Sequence, residues 1–123
     1  MPNRSPQPAR REPPVESFLP LGPPVFHILL ALGGEVLHGY AIQRRFEEGS
    51  GGEQILPGTL YSSLAKMREW GLVEEVSERP PDDDPRRRYY RATALGREVT
   101  AAEAARMERL VAFARRQALT GPR

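Results

Sequence analysis

The sequence predicts a mainly α-helical domain with one small β-hairpin. Apolar residues recur at helical spacing in four segments, and the stretch between the third and fourth has two short extended segments around a proline-containing turn. With 123 residues, the chain is long enough for one domain and too short for two ordinary ones. We therefore expect all of these elements to share one core.

The N-terminal segment differs in composition from the rest of the chain. Residues 1–24 contain eight of the 13 prolines and few apolar residues before Phe18. Such a segment buries too little surface to offset the entropy that it loses on ordering. The sequence therefore predicts a disordered tail over residues 1–20, a folded domain over 21–93 and a long C-terminal helix over 94–119.

Two short helices follow the tail. Residues 25–32 are apolar except for one histidine, and Gly33-Gly34 ends this run as a helix C-cap would. A second helix is predicted over 40–48, where two apolar residues stand four apart on one face: Ile42 and Phe46.

The third helix has the clearest signals, with Pro57 at its start and Gly71 just beyond its end. At 100° per residue, one side should face the core through Leu60, Leu64 and Met67. The opposite side is predicted to be exposed and is small, polar or cationic: Gly58, Ser62, Ala65, Lys66 and Glu69, flanked by Thr59 and Tyr61. Trp70, at the end of this helix, is expected to pack in the core.

A hairpin and a long helix complete the chain. Residues 72–76 and 86–92 are the predicted arms of the hairpin. The connection between them contains Asp82-Asp83-Asp84, which lacks the spacing of a calcium loop, so we expect a solvated tip. Thr93 is the expected N-cap of the last helix, whose apolar stripe is interrupted at Arg106.

Three short helices, a hairpin and a long helix in this order make a winged helix-turn-helix with an added helical arm. In that architecture one helix enters the major groove of DNA and the hairpin reaches the adjacent backbone. The third helix supplies hydroxyl, phenol and ammonium groups that can bond phosphates or base edges. The hairpin supplies Arg86, Arg87 and Arg88, which we expect to be presented beside Tyr89 and Tyr90.

Composition bears on the partners of the chain. Of the 18 basic residues only Lys66 is a lysine, and arginine suits bidentate contacts with phosphate and guanine. This usage permits nucleic-acid binding, although a general arginine bias explains it equally well. No apolar run approaches the roughly 18 residues of a membrane span, and no signal peptide is visible. We expect a cytoplasmic protein without a membrane partner.

The sequence excludes several kinds of catalyst. Because the chain has no cysteine, it has no disulfide scaffold, Cys-based zinc site or cysteine nucleophile. Ser62 and Ser63 have no histidine and acid partner set, and no glycine-rich phosphate loop follows a strand. His27 inside an apolar helix is expected to be structural, and His38 beside Gly39 is a candidate cap. We expect no enzymatic activity, no cofactor and no metal site.

Four blocks of the sequence resemble the PadR family of bacterial transcriptional regulators. They are 26–32 (FHILLAL), 37–42 (LHGYAI), 57–61 (PGTLY) and 87–93 (RRYYRAT), and their order and spacing also match. The single helix at the C-terminus is similar to the short-tailed branch of that family. The resemblance implies a winged-helix, repressor-type DNA-binding domain that dimerises through its last helix.

The resemblance also implies site residues, because the PGTLY helix would be the recognition helix. The DNA-binding residues would be Tyr40, Gly58, Thr59, Tyr61, Ser62, Lys66, Arg86, Arg87 and Arg88. A helix of about 25 residues spans roughly 37 Å, more than one face of so small a domain covers, so part of it should pair with a second copy. The expected dimerisation residues are Val99, Ala102, Met107, Leu110, Phe113 and Ala114.

The leading hypothesis is a homodimeric repressor that binds double-stranded DNA at a pseudo-palindromic operator. The alternative is a winged-helix module for protein–protein interaction that does not bind DNA directly. A third hypothesis adds a small hydrophobic effector, bound between the helices of the dimer, that shifts the DNA affinity.

Overall fold

The computed structural model describes residues 13–77 and 83–117. The described elements are α1 Pro23–Leu32, β1 Leu37–His38, α2 Gly39–Gly49, α3 Pro57–Glu69, β2 Val73–Val76, β3 Tyr89–Ala92 and α4 Ala94–Arg116. The mainly helical class with a small hairpin is therefore confirmed. Residues 1–12 of the predicted tail, Asp82 of the predicted tip and residues 118–119 of the predicted helix lie outside the described residues.

The three strands form one antiparallel sheet in the order β1-β3-β2. β2 and β3 form the predicted hairpin, and Val76 pairs with Tyr89 at its outer end. The second strand is shorter than predicted, because residues 86–88 belong to the connection and not to β3. β1 adds an edge through the pairing of Leu37 with Tyr90. The sequence did not predict β1, because two residues are too short to show the alternation typical of a strand.

The two tyrosines of β3, the central strand of the sheet, are both buried. Tyr89 is 6% exposed and Tyr90 is 2% exposed. The expectation that both rings are presented beside the wing arginines is therefore wrong. Tyr90 packs in the hydrophobic core, and the ring of Tyr89 packs edge-on against the His38 ring of β1, with the ring centres 5.4 Å apart.

The core lies between the first three helices, the sheet and the start of α4. The predicted inner side of α3 is confirmed, since Leu60, Leu64 and Met67 are at most 1% exposed. Other large buried members come from α1, α2, the hairpin with the residue before it, and α4: Ile28, Leu29, Leu32, Ile42, Phe46, Leu72, Val73, Tyr90, Leu95 and Val99. Burial of this inner side leaves the opposite side of α3 to face outward.

The segment before α1 packs against the domain. Val15–Phe18 form a 3-10 turn, and the side chains of Val15, Phe18 and Leu19 contact the core. The last residues of the predicted tail are thus part of the packed domain. The difference arises because these few apolar side chains reach α4 and α1, which the proline content of the segment does not reveal.

A buried carboxylate fixes this segment to α4. Glu103 is 0% exposed and accepts the backbone N–H of Leu21 at 3.1 Å. Its two oxygens also accept Arg106 Nε at 2.6 Å and the second guanidinium nitrogen at 2.9 Å. The predicted break of the apolar stripe at Arg106 thus coincides with an ion pair on the inner side of α4.

The two halves of α4 differ in their surroundings. Thr93 is the N-cap, as predicted, and its hydroxyl oxygen accepts the N–H of Gly96 at 3.0 Å. In the first half Val99 is 0% exposed, so its expected role in dimerisation is wrong: this turn of α4 packs inside the chain's own core. In the second half the large apolar side chains are exposed by 39–54%: Met107, Leu110, Val111 and Phe113.

Candidate nucleic-acid interface

Helix α3 presents its polar side on the surface. The proline at its first turn and the buried leucines on its inner side fix its position. All five predicted DNA-binding residues of this helix are exposed: Gly58, Thr59, Tyr61, Ser62 and Lys66. The hydroxyl of Ser62 donates to the carbonyl of Thr59 at 3.2 Å, which leaves its lone pairs available as acceptors.

The start of α2 lies against α3 at Tyr61. Gly39 is buried, and the phenol of Tyr61 lies where a Cβ on Gly39 would be. The absence of a side chain at Gly39 therefore allows Tyr61 to lie across the first turn of α2. Tyr40, the next residue, is 62% exposed, and the guanidinium of Arg44 lies 5.9 Å from the centre of its ring.

His38 caps α2, as the sequence suggested. Its Nδ1 accepts the backbone N–H of Ala41 at 3.3 Å, which requires that this nitrogen carry no proton. Burial lowers the pKa of His38, and the nearby charge of Arg87 lowers it further, whereas Asp83 acts in the opposite direction. The cap is therefore maintained at neutral pH.

The wing arginines are paired within their own loop. Asp84 accepts the backbone N–H of Arg86 at 2.9 Å and two of its guanidinium nitrogens at 3.2 and 3.0 Å. Asp83 accepts Arg87 at 3.0 Å, and its side chain is only 5% exposed. The expectation of a solvated acidic tip is therefore wrong for Asp83, because its carboxylate turns inward to the arginine that follows it.

Burial beside this pair also affects Tyr89. The pKa of the Tyr89 phenol is raised, mainly by its burial and further by hydrogen bonding to Asp83. A neutral phenol is thus present between Asp83 and Arg87. One carboxylate oxygen of Asp83, Oδ2, is buried without a hydrogen-bond partner.

A surface groove contains residues of β1, α2, α3 and the loop before β3. It is lined by His38, Gly39, Tyr40, Tyr61, Asp84, Arg86, Arg87 and Arg88. Five of the nine predicted DNA-binding residues thus meet there, whereas Gly58, Thr59, Ser62 and Lys66 lie exposed on α3 outside its lining. The other three lining residues, His38, Gly39 and Asp84, were not predicted from the sequence as groove residues. The HGY block was a signal for Gly39, but the contact with Tyr61 is visible only in three dimensions.

Trp70 is not in the core, contrary to the expectation. It is 44% exposed and borders a shallow apolar groove with Phe18 and Leu21 of the segment before α1 and with Val25 of α1. The end of α3 places the indole beyond the last core turn, so it faces the segment before α1 instead of the centre of the domain.

Two other features bear on function. Within residues 13–77 and 83–117, no group of three or more acidic or histidine side chains could hold a metal ion. Among the helices in the same ranges, none is long and apolar enough to cross a membrane.

Fold and groove together define a winged-helix transcriptional regulator. The chain belongs to the PadR-like family of transcriptional regulators, whose family model matches residues 28–102. This span contains α2, α3, the hairpin and the beginning of α4. Members of this family are transcriptional regulators and not enzymes, and they bind DNA, generally as dimers.

Three individual proteins show what the chain is similar to, and one of them is named a transcriptional regulator. The transcriptional regulator Rv3488 of Mycobacterium tuberculosis is 34% identical over 84 residues, which cover 68% of this chain and 75% of that protein. A 37.1 kDa protein in transposon TN4556 of Streptomyces fradiae is 40% identical over 83 residues, 68% of this chain but only 22% of that protein. The structure of the complex of H. salinarum RosR named hsRosR-S4 has a TM-score of 0.62 at 27% identity, covering 86% of this chain and 97% of RosR.

Proposed function

We propose that the chain is a sequence-specific repressor that binds a pseudo-palindromic operator as a homodimer. The observation that supports this most directly is the exposed polar side of α3 beside a groove with three arginines. A helix whose inner side is buried and whose outer side is polar can enter the major groove while the wing contacts the adjacent backbone.

The side chains of α3 fall into two proposed roles. Thr59 and Ser62 are short hydroxyl residues that suit contacts with base edges, and Gly58 lets the DNA backbone approach closely. Lys66 is a flexible point charge that suits a phosphate, as do the free N–H groups at the start of α3. Tyr61, held over Gly39, connects these contacts to the groove.

The wing and Tyr40 are proposed to contact the DNA backbone. Arg86, Arg87 and Arg88 line the groove, and phosphates would take over the hydrogen bonds that Arg86 and Arg87 now make to carboxylates. Because Asp83 and Asp84 stay close by, the net attraction of the wing for phosphate is smaller than three arginines would give. The wing is therefore a modest contributor to affinity.

The distal half of α4 supports the dimer. α4 has 23 residues, about 35 Å at 1.5 Å per residue, and its exposed apolar side chains continue the inner side of the first half. The proposed interface consists of Met107, Leu110, Phe113 and Ala114, with Ala102 at its edge. A twofold pair would place two α3 helices about one turn of DNA apart.

Titrations of four alanine variants test the proposed roles. Lys66→Ala and Arg87→Ala should lower the affinity on every duplex and reduce its salt dependence. Thr59→Ala and Ser62→Ala should mainly change which sequence is preferred. The measurement is binding to a duplex selected from a random pool and to a scrambled copy. Equal losses from all four variants on both duplexes would contradict this assignment.

Two further hypotheses remain proposals. A small hydrophobic effector would have to bind the DNA-competent and incompetent dimers with different affinity, so a panel of planar apolar compounds should include one that changes operator binding. The protein–protein interaction module predicts a monomer that does not bind DNA. Sedimentation at micromolar concentration, with and without duplex, separates that alternative from the repressor.

A further inference from the structure

Leu56 is the most exposed large hydrophobic residue in the described part of the chain, with 70% of its surface accessible. It is the N-cap residue of α3, and its side chain cannot cap the helix. A leucine side chain that is exposed to this extent contributes little to the core of the monomer. The exposure therefore raises the question of which apolar group Leu56 meets.

The backbone of Leu56 is held firmly although its side chain is exposed. Its carbonyl accepts the N–H of Leu60 in the first turn of α3 at 2.9 Å. The preceding residue, Ile55, is 7% exposed, and its carbonyl accepts the side-chain amide of Gln43 at 3.0 Å. The side chain is thus presented from a fixed position at the front of α3.

The surroundings of Leu56 are polar and continuous with the DNA groove. It lines a shallow surface with Tyr40, Gln43, Arg44, Glu47, Gln54, Ile55 and Pro57, and Tyr40 also lines the groove between α3 and the wing. Ile55 is buried, so the exposed apolar side chains here are only Leu56 and Pro57 among amide, cationic and carboxylate groups, which is too small an apolar patch to bind a protein partner. It suits a polar, charged partner that offers one isolated apolar group.

We propose that Leu56 contacts the 5-methyl group of thymine in the major groove and thereby contributes to sequence preference. This inference rests on the proposed function, because it takes α3 to be the helix in the groove. The N-terminal residues of such a helix contact base edges. Among those edges the thymine methyl is the apolar group, and apolar side chains recognise it.

The experiment compares duplexes with and without these methyl groups. The full chain first selects its preferred duplex from a random pool, and that duplex is synthesised once with thymine and once with deoxyuridine at every thymine. Dissociation constants are measured for the wild type, Leu56→Ala and Leu30→Ala. Leu30, on α1, is the matched control because it is also an exposed leucine, at 51%, but lines neither of the two grooves that contain Tyr40.

The wild type and the Leu30→Ala control should each lose roughly threefold to fivefold in affinity, for every contacted thymine, when thymine is replaced. Leu56→Ala should bind the thymine duplex more weakly by the same factor and should lose nothing further on the deoxyuridine duplex. Replacing thymines one at a time should locate the loss at one position in each half-site.

Three results would overturn the inference. The first is a wild type that binds the thymine and deoxyuridine duplexes with equal affinity, which overturns the inference whatever the variants do. The second is a Leu56→Ala protein that keeps the full methyl sensitivity, which shows that the methyl contact lies elsewhere. The third is a Leu56→Ala protein that binds both duplexes with wild-type affinity, which shows that Leu56 serves a protein partner instead. If the chain enriches no duplex at all, the proposed function fails as well, which distinguishes the two failures.

Discussion

Gly39 and Tyr61 are 22 residues apart in the sequence and in contact in the fold. The phenol of Tyr61 occupies the space of a Cβ at Gly39, so the HGY block and the PGTLY block are complementary parts of one surface. The contact is between a backbone and the far end of an exposed side chain. Its loss should therefore affect the surface and not the core.

Gly39→Ala should displace Tyr61 and weaken DNA binding with little effect on stability. A methyl group at this position forces the exposed ring to move, while the core residues of α2 and α3 keep their contacts. DNA titration and thermal denaturation together check this, with Gly49→Ala as control because a Cβ at Gly49 meets nothing within 4 Å. An unchanged affinity would show that the placement of Tyr61 is irrelevant to binding.

Asp84→Asn should strengthen binding to every duplex, by up to about fivefold at low salt. The asparagine oxygen can still accept the backbone N–H of Arg86, so the turn remains, but the charge that competes with phosphate is removed. Glu74→Gln is the matched control, since Glu74 is paired with Arg91 at 2.9 Å and does not line the groove. If both variants gain equally, the effect is one of net charge alone.

At the scale of the elements, the start of α4 is fitted closely to the turn before β2. A Cβ on Gly96 would overlap the backbone carbonyl of Leu72, and Thr93 donates its hydroxyl to the carbonyl of Gly71 at 2.5 Å. Both contacts involve backbone atoms, which cannot move aside as a side chain can. Only glycine permits the helix to begin at this distance.

Gly96→Ala should lower the free energy of unfolding by roughly 1–3 kcal/mol. Helix propensity alone predicts the opposite sign, a gain of up to about 1 kcal/mol, so the sign of the change separates the two effects. Chemical denaturation measures it. Gly58→Ala in α3 is the comparison, because a Cβ there meets nothing within 4 Å; a Gly96→Ala protein as stable as that control would contradict the close fit.

The buried pair of Glu103 and Arg106 should make stability depend on acid pH. The arginine holds the pKa of Glu103 below its usual value, despite the opposing effect of burial. The unfolded state therefore binds a proton at higher pH than the folded state does. The contribution is complete above the unfolded pKa of about 4.3 and is lost as pH falls through the folded value.

Glu103→Gln should reduce stability at neutral pH by roughly 1–3 kcal/mol and should flatten the fall of stability below about pH 4.5. Denaturation curves across pH 3–7 compare it with the wild type and with Glu98→Gln, an exposed carboxylate on the same helix. A wild-type curve that is parallel to that of Glu103→Gln would show that the pair is not coupled to folding.

Features that depend on residues close together in the sequence could be predicted, whereas features that depend on contacts formed only in the fold could not. Helical periodicity, Pro57, Gly71 and Thr93 are local, so the helices and their inner sides were predictable. The burial of Tyr89 depends on a third strand of two residues, and the inward turn of Asp83 depends on an arginine four residues away. Val99 was misassigned because one apolar stripe on α4 serves the core in its first half and is exposed in its second.

At the scale of the whole molecule, the exposed second half of α4 should control the oligomeric state. Leu110→Asp places a charge in the proposed apolar interface, where burial without a partner costs several kcal/mol. The variant should sediment as a monomer and bind its selected duplex at least roughly tenfold more weakly. Ala112→Asp adds the same charge on the opposite side of α4 and should leave both properties unchanged. A dimeric Leu110→Asp protein would contradict this interface.

Hydroxyl-radical footprinting of the selected duplex tests the central claim most directly, because it reports where the protein covers the DNA. Two α3 helices of a twofold dimer should protect two stretches on one side of the duplex, about 10 base pairs apart from centre to centre. Both should disappear together in Leu110→Asp at the concentration where the wild type saturates the duplex. A single protected stretch, or protection that does not depend on dimerisation, would contradict the account.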